Sequence, residues 1–402
     1  MQGKHYDQEK NCISPSDWIS HFQNLNTVKD KFKSRIEDLE KKLETLENSR
    51  VFNQLDVPIT EQEIVLAISQ MKINKAPGID NITNNMIKSS QTTLIKCYKK
   101  IFNACLVSGI YPEKWAEGCI TPLYKANDMY DPGNYRGLTI TSAIGKLFNR
   151  VLNQRLIIFF LEKYNIISHC QIGFTKKART SDHMFVLKTI IDKYCKCNNG
   201  RVFACFVDFQ KAFDTVIHTG NNLKLLQIGV GSLFYNIIKN MYRYSKSCVK
   251  IDNCLTDFFP VQLGVKQRDN LRPNLFKIFI NDLPDYLERA FDSITLNGRS
   301  IHCLMYADDI ILLSSSDNGL QEKLDILSKY CKDWCLNVNT LKTKIMIFNN
   351  AGTFHNIDFN LNGVRFECVS RYKYLGVYFC LSGSFTYAQE DLYNKSLKGQ
   401  KK

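Results

Sequence analysis

The spacing of apolar residues changes several times along the chain, and each change marks an element. Between Phe32 and Leu46, apolar side chains recur every three or four residues (Phe32, Ile36, Leu39, Leu43, Leu46), with Lys, Arg and Glu between them. That period predicts a helix with a narrow apolar seam. Covering only about two heptads, it is expected to dock on a larger body rather than form a coiled coil. Thr60-Glu61-Gln62-Glu63 offers a capping box ahead of Ile64, Val65, Ala67, Ile68 and Met71. The turn chemistry of Lys75-Ala76-Pro77-Gly78-Ile79-Asp80 separates this helix from a second, expected from about Thr83 to Cys105.

Past Pro112 the blocks shorten to strand length. Cys119 to Tyr124 and Gly137 to Thr141 read as strands around the turn Asp131-Pro132-Gly133-Asn134, and Ser142 leads into an apolar helix. Val202 to Val207 is a continuous apolar run of strand length that ends at Asp208. Ile301 to Tyr306 and Ile310 to Leu313 flank Ala307-Asp308-Asp309 and predict a hairpin with its acids at the turn. An amphipathic helix is expected through Leu275, Phe276, Ile278, Phe279 and Leu283, with strands at Ile345 to Phe348 and Arg371 to Phe379. Two strands that each deliver an acid at one end can bring Asp208, Asp308 and Asp309 together, although one hundred residues separate the first two. Unpaired charges at the end of a buried strand pair need a positive partner. Hard oxygen donors on a rigid hairpin suit Mg²⁺, which binds carboxylates together with substrate phosphates.

Composition narrows the partners. Lys and Arg total 53 against 39 Asp and Glu, a net charge of +14 that favours a polyanion. The 15 cysteines are scattered, and neither Cys195/Cys197 nor Cys331/Cys335 has the companions of a zinc site. They read as small buried hydrophobes in a reducing, intracellular compartment, nucleus or cytoplasm. No apolar run approaches the length of a membrane span, and a membrane partner is not expected.

The motifs resemble, in order, those of the reverse transcriptases of non-LTR (LINE-type) retrotransposons. Phe206-Val207-Asp208-Phe209-Gln210-Lys211-Ala212-Phe213-Asp214 is similar to the family's FxDxxKAFD motif. Gly264-Val265-Lys266-Gln267, then Pro273, Leu275-Phe276 and Ile280-Asn281-Asp282-Leu283, resemble GVRQGDPLSPxLFxxFINDL. Tyr306-Ala307-Asp308-Asp309 is similar to the third catalytic motif. Asn134-Tyr135-Arg136-Gly137-Leu138 resembles a finger motif, and Gln171-Ile172-Gly173-Phe174 the QxGF after it. Asn339 with Lys342-Thr343-Lys344, then Tyr374-Leu375-Gly376, resemble the last palm motifs.

The resemblance implies an α+β right-hand polymerase fold, fingers and palm, with a central antiparallel sheet and flanking helices. The expected organisation is a helical leader at 1–50 and a helical extension at 51–117. A reverse transcriptase domain follows at 118–376 (fingers about 118–200, palm about 201–376), then a truncated tail at 377–402 with the thumb absent. It implies RNA-directed DNA polymerase activity in which Asp208, Asp308 and Asp309 hold two Mg²⁺ ions (Mn²⁺ as an alternative). The primer 3′-hydroxyl then attacks the α-phosphate of a dNTP. Arg136 and Lys146 match positions that grip the triphosphate, Phe213 the aromatic under the sugar, and Gln267 a contact to the incoming nucleotide. Lys342 and Lys344 match contacts to phosphate or nucleic-acid backbone. RNA template, DNA primer and dNTP are the implied partners, with no small-molecule cofactor. The chain departs from the pattern at Arg268-Asp269-Asn270, where the family has Gly-Asp-Pro, and at Arg272, where it has Ser. Arg268 is expected to crowd nucleotide or template, or to bind phosphate. These departures support an alternative, a decayed and inactive nucleic-acid-binding remnant, and the expected lack of a thumb predicts weak or no processive synthesis.

Overall fold

The apolar run ending at Asp208 becomes the middle strand of a five-stranded sheet, in a computed structural model that describes residues 13–46, 53–176, 178–197, 199–252, 254–267 and 269–400. The parts of the expected leader at 1–12 and 47–50 lie outside the described residues. The sheet runs in the order Glu367–Cys368, Lys344–Asn349, Arg201–Val207, Asp309–Ser314, Cys303–Tyr306. All its pairings are antiparallel except that of Glu367–Cys368 with Lys344–Asn349. Val202 through Val207 are all buried, as an unbroken apolar run requires. Val202, Ala204, Phe206, Ile311, Leu313, Met346 and Phe348 share a core with Leu187, Ile190 and Ile191 of the helix Thr180–Ile191. The helix Asp317–Asp333 packs on the same sheet through buried Leu320, Leu324 and Leu327.

This sheet belongs to the second of two compact units, 167–212 with 276–402; the first unites the residues up to 166 with 213–275. In the first, Glu117–Tyr124 pairs antiparallel with Tyr135–Thr141 and parallel with Lys246–Ile251, which also pairs with Cys254–Leu255 and Phe259–Pro260. The helix Pro15–Asn26 lays Trp18 and Phe22 against Ile120, Val249 and Phe259. Its start is legible after the fact: Ser14 caps the Asp17 N–H at 3.1 Å, with proline at the first helical position. The apolar seam forms the helix Lys33–Leu46, which buries Leu39 and Leu43 and docks on the helix His218–Gln227, as its short length implied.

Four elements differ from expectation. The amphipathic helix ends at Phe279, with Leu283 opening a second helix, Leu283–Leu287. The strand expected from Ile301 starts at Cys303, and Ile301 belongs to the strand Arg299–Ile301. The helix expected from Thr83 to Cys105 is two, Asn84–Ser89 and Gln91–Ser108, broken at Ser90, whose ψ of 5° leaves the helical range. The single strand expected at Arg371 to Phe379 is a hairpin, Arg371–Tyr374 with Val377–Cys380. Leu375 and Gly376 both take positive φ, +45° and +89°, the signature of a two-residue type I′ turn. The chain is thus α+β, with mainly antiparallel sheets. Among the described residues no helix is long and apolar enough to cross a membrane.

One buried charge in the first unit is fully engaged by acceptors. Arg155 is 1% exposed at the end of the helix Ala143–Arg155. Its guanidinium donates to both carboxylate oxygens of Glu63, to the Val57 carbonyl, and to the carbonyls of Leu55 (3.2 Å) and Pro58 (2.9 Å). Arg155→Met leaves those acceptors unpaired and is expected to cost about 3–5 kcal/mol in urea unfolding. A loss below about 1 kcal/mol, the range of an exposed pair, contradicts this.

Candidate active site

The sheet register brings the acids together. Val207 pairs with Ile310, and Asp309 pairs with Tyr306. One step beyond Val207 and Ile310, the same register sets Asp208 opposite Asp309. Opposed residues of an antiparallel pair share a face, with Cβ atoms about 5 Å apart. Asp208 is fixed from its other side: its N–H donates to Thr343 Oγ1 at 3.1 Å, and its carbonyl accepts from the Asn339 N–H at 2.7 Å. Asp308 occupies the turn between Tyr306 and Asp309.

The electrostatics agree with the register. Asp309 keeps an exposed edge, yet the protein around it strips hydration, and the charges of Asp308 and Asp208 add repulsion. Together these push its carboxyl up to about 6. The Tyr372 ring stacks on Phe206 at 4.3 Å, and its hydroxyl is pushed up to about 12, first by burial and then by Asp309 and Asp208. Among the described residues no three His, Cys, Asp or Glu side chains close into a metal cage. Mg²⁺ rarely uses one: it takes one or two carboxylates and fills its remaining positions with water and substrate phosphate. Mutually repelling carboxylates with hard oxygen donors fit such an ion.

A clamp holds the hairpin turn. Ala307 is buried with φ at +57°, while Asp308 keeps negative φ, the signs of a type II′ turn, in which glycine usually takes Ala307's place. An L-residue there costs about 1 kcal/mol or more. Gln171, 2% exposed, accepts from the Ala307 N–H at 2.9 Å and donates to the Ala307 carbonyl at 3.1 Å. Leaving each of those buried groups unpaired costs about 1–3 kcal/mol, so the clamp outweighs the strain. The backbone adds Ile172 N–H to Met305 O at 3.0 Å and Met305 N–H to Cys170 O at 2.8 Å.

The other expected positions, Arg136, Lys146, Phe213 and Gln267, lie in the first unit. Arg136 is exposed on the strand Tyr135–Thr141, opposite Leu123. Lys146, half-buried in the first turn of its helix, helps hold down the carboxyl of Asp269, which burial raises. Gln267 sits in the turn closed by the Asp269 N–H on the Lys266 carbonyl at 3.2 Å. Phe213 and the glycine motif are tied directly: Val265 N–H donates to Phe213 O at 2.9 Å and Gly264 N–H to Val216 O at 2.8 Å. Gly264 takes φ of +87°, and a Cβ there would meet the Asp214 carbonyl oxygen at 2.9 Å. Two features explain this glycine: the conformation and the close approach.

Arg272, the departure from serine, is absorbed internally. It pairs with Asp214 at 3.0 Å, donates to the Val265 carbonyl at 3.0 Å, and lies over the Phe213 ring at 4.8 Å. Asp269 accepts from the Leu271 N–H at 2.8 Å and from Asn149. Arg268 lies outside the described residues. In the second unit Lys342 is exposed, whereas Lys344 is ion-paired with Glu367, which competes with any phosphate contact. Gln171 and Thr343 hold the backbone of Ala307 and Asp208, contacts that their motifs did not announce.

Comparison with known proteins gives the family of the chain. The model of the family described as reverse transcriptase (RNA-dependent DNA polymerase) matches residues 124–379. A probable RNA-directed DNA polymerase from transposon BS of Drosophila melanogaster is 29% identical over 394 residues, covering 93% of this chain and 41% of that protein. The RNA-directed DNA polymerase from mobile element jockey of the same species is 26% identical, over 81% of this chain and 36% of its own length. A retrovirus-related Pol polyprotein from type-1 retrotransposable element R2 of Popillia japonica is 27% identical, over 84% and 47%. The chain spans less than half the length of each of these relatives. With the family match extending over more than half of its residues, this chain belongs to the reverse transcriptase (RNA-dependent DNA polymerase) family.

Proposed function

We propose that this chain is the RNA-directed DNA polymerase part of a non-LTR retrotransposon protein, adding dNTPs to a DNA primer on an RNA template. The observation that carries the reading is the pairing of Val207 with Ile310, which one step further opposes Asp208 to Asp309, with the Asp309 carboxyl raised by desolvation and then by Asp308 and Asp208. Asp208, Asp308 and Asp309 are the residues to hold two Mg²⁺ ions, or Mn²⁺ in their place. When bound, such ions supply positive charge that favours the ionised 3′-hydroxyl and neutralises the triphosphate. The chain's own contribution is positioning. The central strand and the hairpin fix the three carboxylates, while Thr343 and Asn339 hold the Asp208 backbone.

Arg136 and Lys146 are assigned to the triphosphate, Gln267 to the incoming nucleotide, and Phe213 to the deoxyribose, where a flat ring disfavours a 2′-hydroxyl. Lys342 is assigned to the nucleic-acid backbone, and Lys344 joins it only by exchanging Glu367 for phosphate. Residues 118–200 are assigned as fingers and 201–376 as palm, although 213–275 pack in the first unit. The proposed setting is intracellular, in nucleus or cytoplasm, in keeping with 15 cysteines and a net charge of +14.

The departures at Arg268 and Asn270 favour a second reading, a remnant that binds nucleic acid without chemistry. Nucleotide binding separates the two. The polymerase is expected to bind dNTP only when Mg²⁺ is present and to lose that binding in Asp208→Asn. A remnant binds RNA with steep salt dependence and takes no dNTP under any condition.

A further inference from the structure

We infer that Gln171 and Gly173 are positioning residues for the Asp308–Asp309 hairpin, acting through the backbone of Ala307. The inference rests on the proposed role of those acids, but the contacts that carry it do not depend on chemistry.

The segment Cys170–Gly173 runs along the free edge of the hairpin strand Cys303–Tyr306, in a parallel bridge of Gln171 with Met305. Its backbone exchanges two hydrogen bonds with Met305, and there the ladder ends. The Gln171 side chain then continues it. Its Oε1 accepts from Ala307 N–H and from Gly173 N–H, both at 2.9 Å, and its Nε2 donates to Ala307 O at 3.1 Å. Backbone roles are fixed, so only one orientation of the amide satisfies all three bonds. The amide therefore grips both polar groups of one peptide residue, the one held at positive φ immediately before Asp308.

Gly173 permits the approach. A Cβ there would lie inside contact distance of the Ala307 nitrogen, 3.0 Å from its Cα and 2.9 Å from Gln171 Oε1. Every one of those neighbours is part of the clamp, so any side chain at 173 pushes on the turn itself. The segment is in turn anchored at both ends. Ser168 N–H donates to Asn281 Oδ1 at 2.8 Å, and Lys277 Nζ to Thr175 Oγ1 at 3.0 Å. A turn in an unfavoured conformation, fixed by a buried amide through its backbone, sets where two carboxylates point. Outer groups of this kind tune metal affinity without ligating.

The test uses the full chain and three variants: Gln171→Met, which keeps the volume and removes all three bonds; Gln171→Glu, which keeps the acceptor and can donate to Ala307 O only with its carboxyl protonated; and Gly173→Ala. Hydrogen–deuterium exchange is followed on peptides covering 303–313 and 201–207, with Mn²⁺ as the binding probe. Gln171→Met and Gly173→Ala are expected to speed exchange at 303–313 selectively and weaken Mn²⁺ binding about 10–100-fold. They are also expected to lower kcat for primer extension by a similar factor, leaving KM for dNTP within about threefold. Gln171→Glu is expected to fall between these and wild type, a partial rescue that simple loss of folding does not give. Wild-type exchange at 303–313 in Gln171→Met overturns the inference, as does a uniform increase over both peptides. If the wild-type chain neither binds Mn²⁺ nor extends primer, the polymerase reading fails, while the exchange measurement still decides the clamp.

Discussion

Asp309→Asn is expected to abolish templated extension and, without divalent cations, to raise the melting temperature. The two effects share a cause. At neutral pH the hairpin holds the Asp309 carboxylate against partial desolvation and against Asp308 and Asp208, and its carboxyl rises to about 6 from an ordinary 3.8. The folded state then binds that proton more tightly than the unfolded chain does. The associated destabilisation is therefore complete above about pH 6, shrinks as pH falls, and is gone below about 4. Asn removes it, so the variant should melt higher than wild type at pH 7.5 in EDTA, and the gap should close by pH 4. Mg²⁺ should reverse the order at pH 7.5, because it stabilises only the protein that holds it. Extension should fall at least about 100-fold, the scale for removing one preorganised group from a charge-stabilising site. A variant that melts below wild type in EDTA contradicts the electrostatic reading of the hairpin.

The second large effect concerns sugar choice. Phe213→Val is expected to raise incorporation of rNTP relative to dNTP by about 10–200-fold, the range for removing one steric contact in a binding pocket. The ring does not stand alone. Arg272 lies over it at 4.8 Å and is itself held by Asp214 and the Val265 carbonyl. A cation over an aromatic face is worth about 0.5–2 kcal/mol. Arg272→Ser, which restores the family's residue, is therefore expected to loosen the ring and weaken discrimination only a few-fold. Single-nucleotide kcat/KM values for dTTP and UTP on the same primer measure both. An unchanged ratio in Phe213→Val removes Phe213 from the sugar contact.

Much of this architecture was legible in the residues. The central strand and the acid hairpin announce themselves because long apolar runs admit few alternatives, and a polar break between two of them marks a turn. The opposition of Asp208 to Asp309 is different. It depends on which strands pair and in which register across one hundred residues, and no local pattern encodes that. Gln171 shows the same limit from the other side. Its motif is visible, but a glutamine carries no sign of which distant backbone it will hold. Leu375 misled because a leucine at positive φ is not signalled by its own chemistry, although Gly376 beside it was a cue. Arg272 could be read only as a departure from the family pattern. Its partners Asp214 and Phe213 lie nearly sixty residues earlier, and folding converts the departure into an internal ion pair.

Primer extension on oligo(dT)-primed poly(rA), with the full chain, dTTP and Mg²⁺, tests the polymerase assignment most directly when wild type is compared with Asp308→Asn. The expected result is Mg²⁺-dependent addition of dTMP by wild type and none above background by the variant. Wild-type protein that binds primed template and Mg²⁺ yet adds no nucleotide contradicts the assignment, as does extension that survives the loss of Asp308.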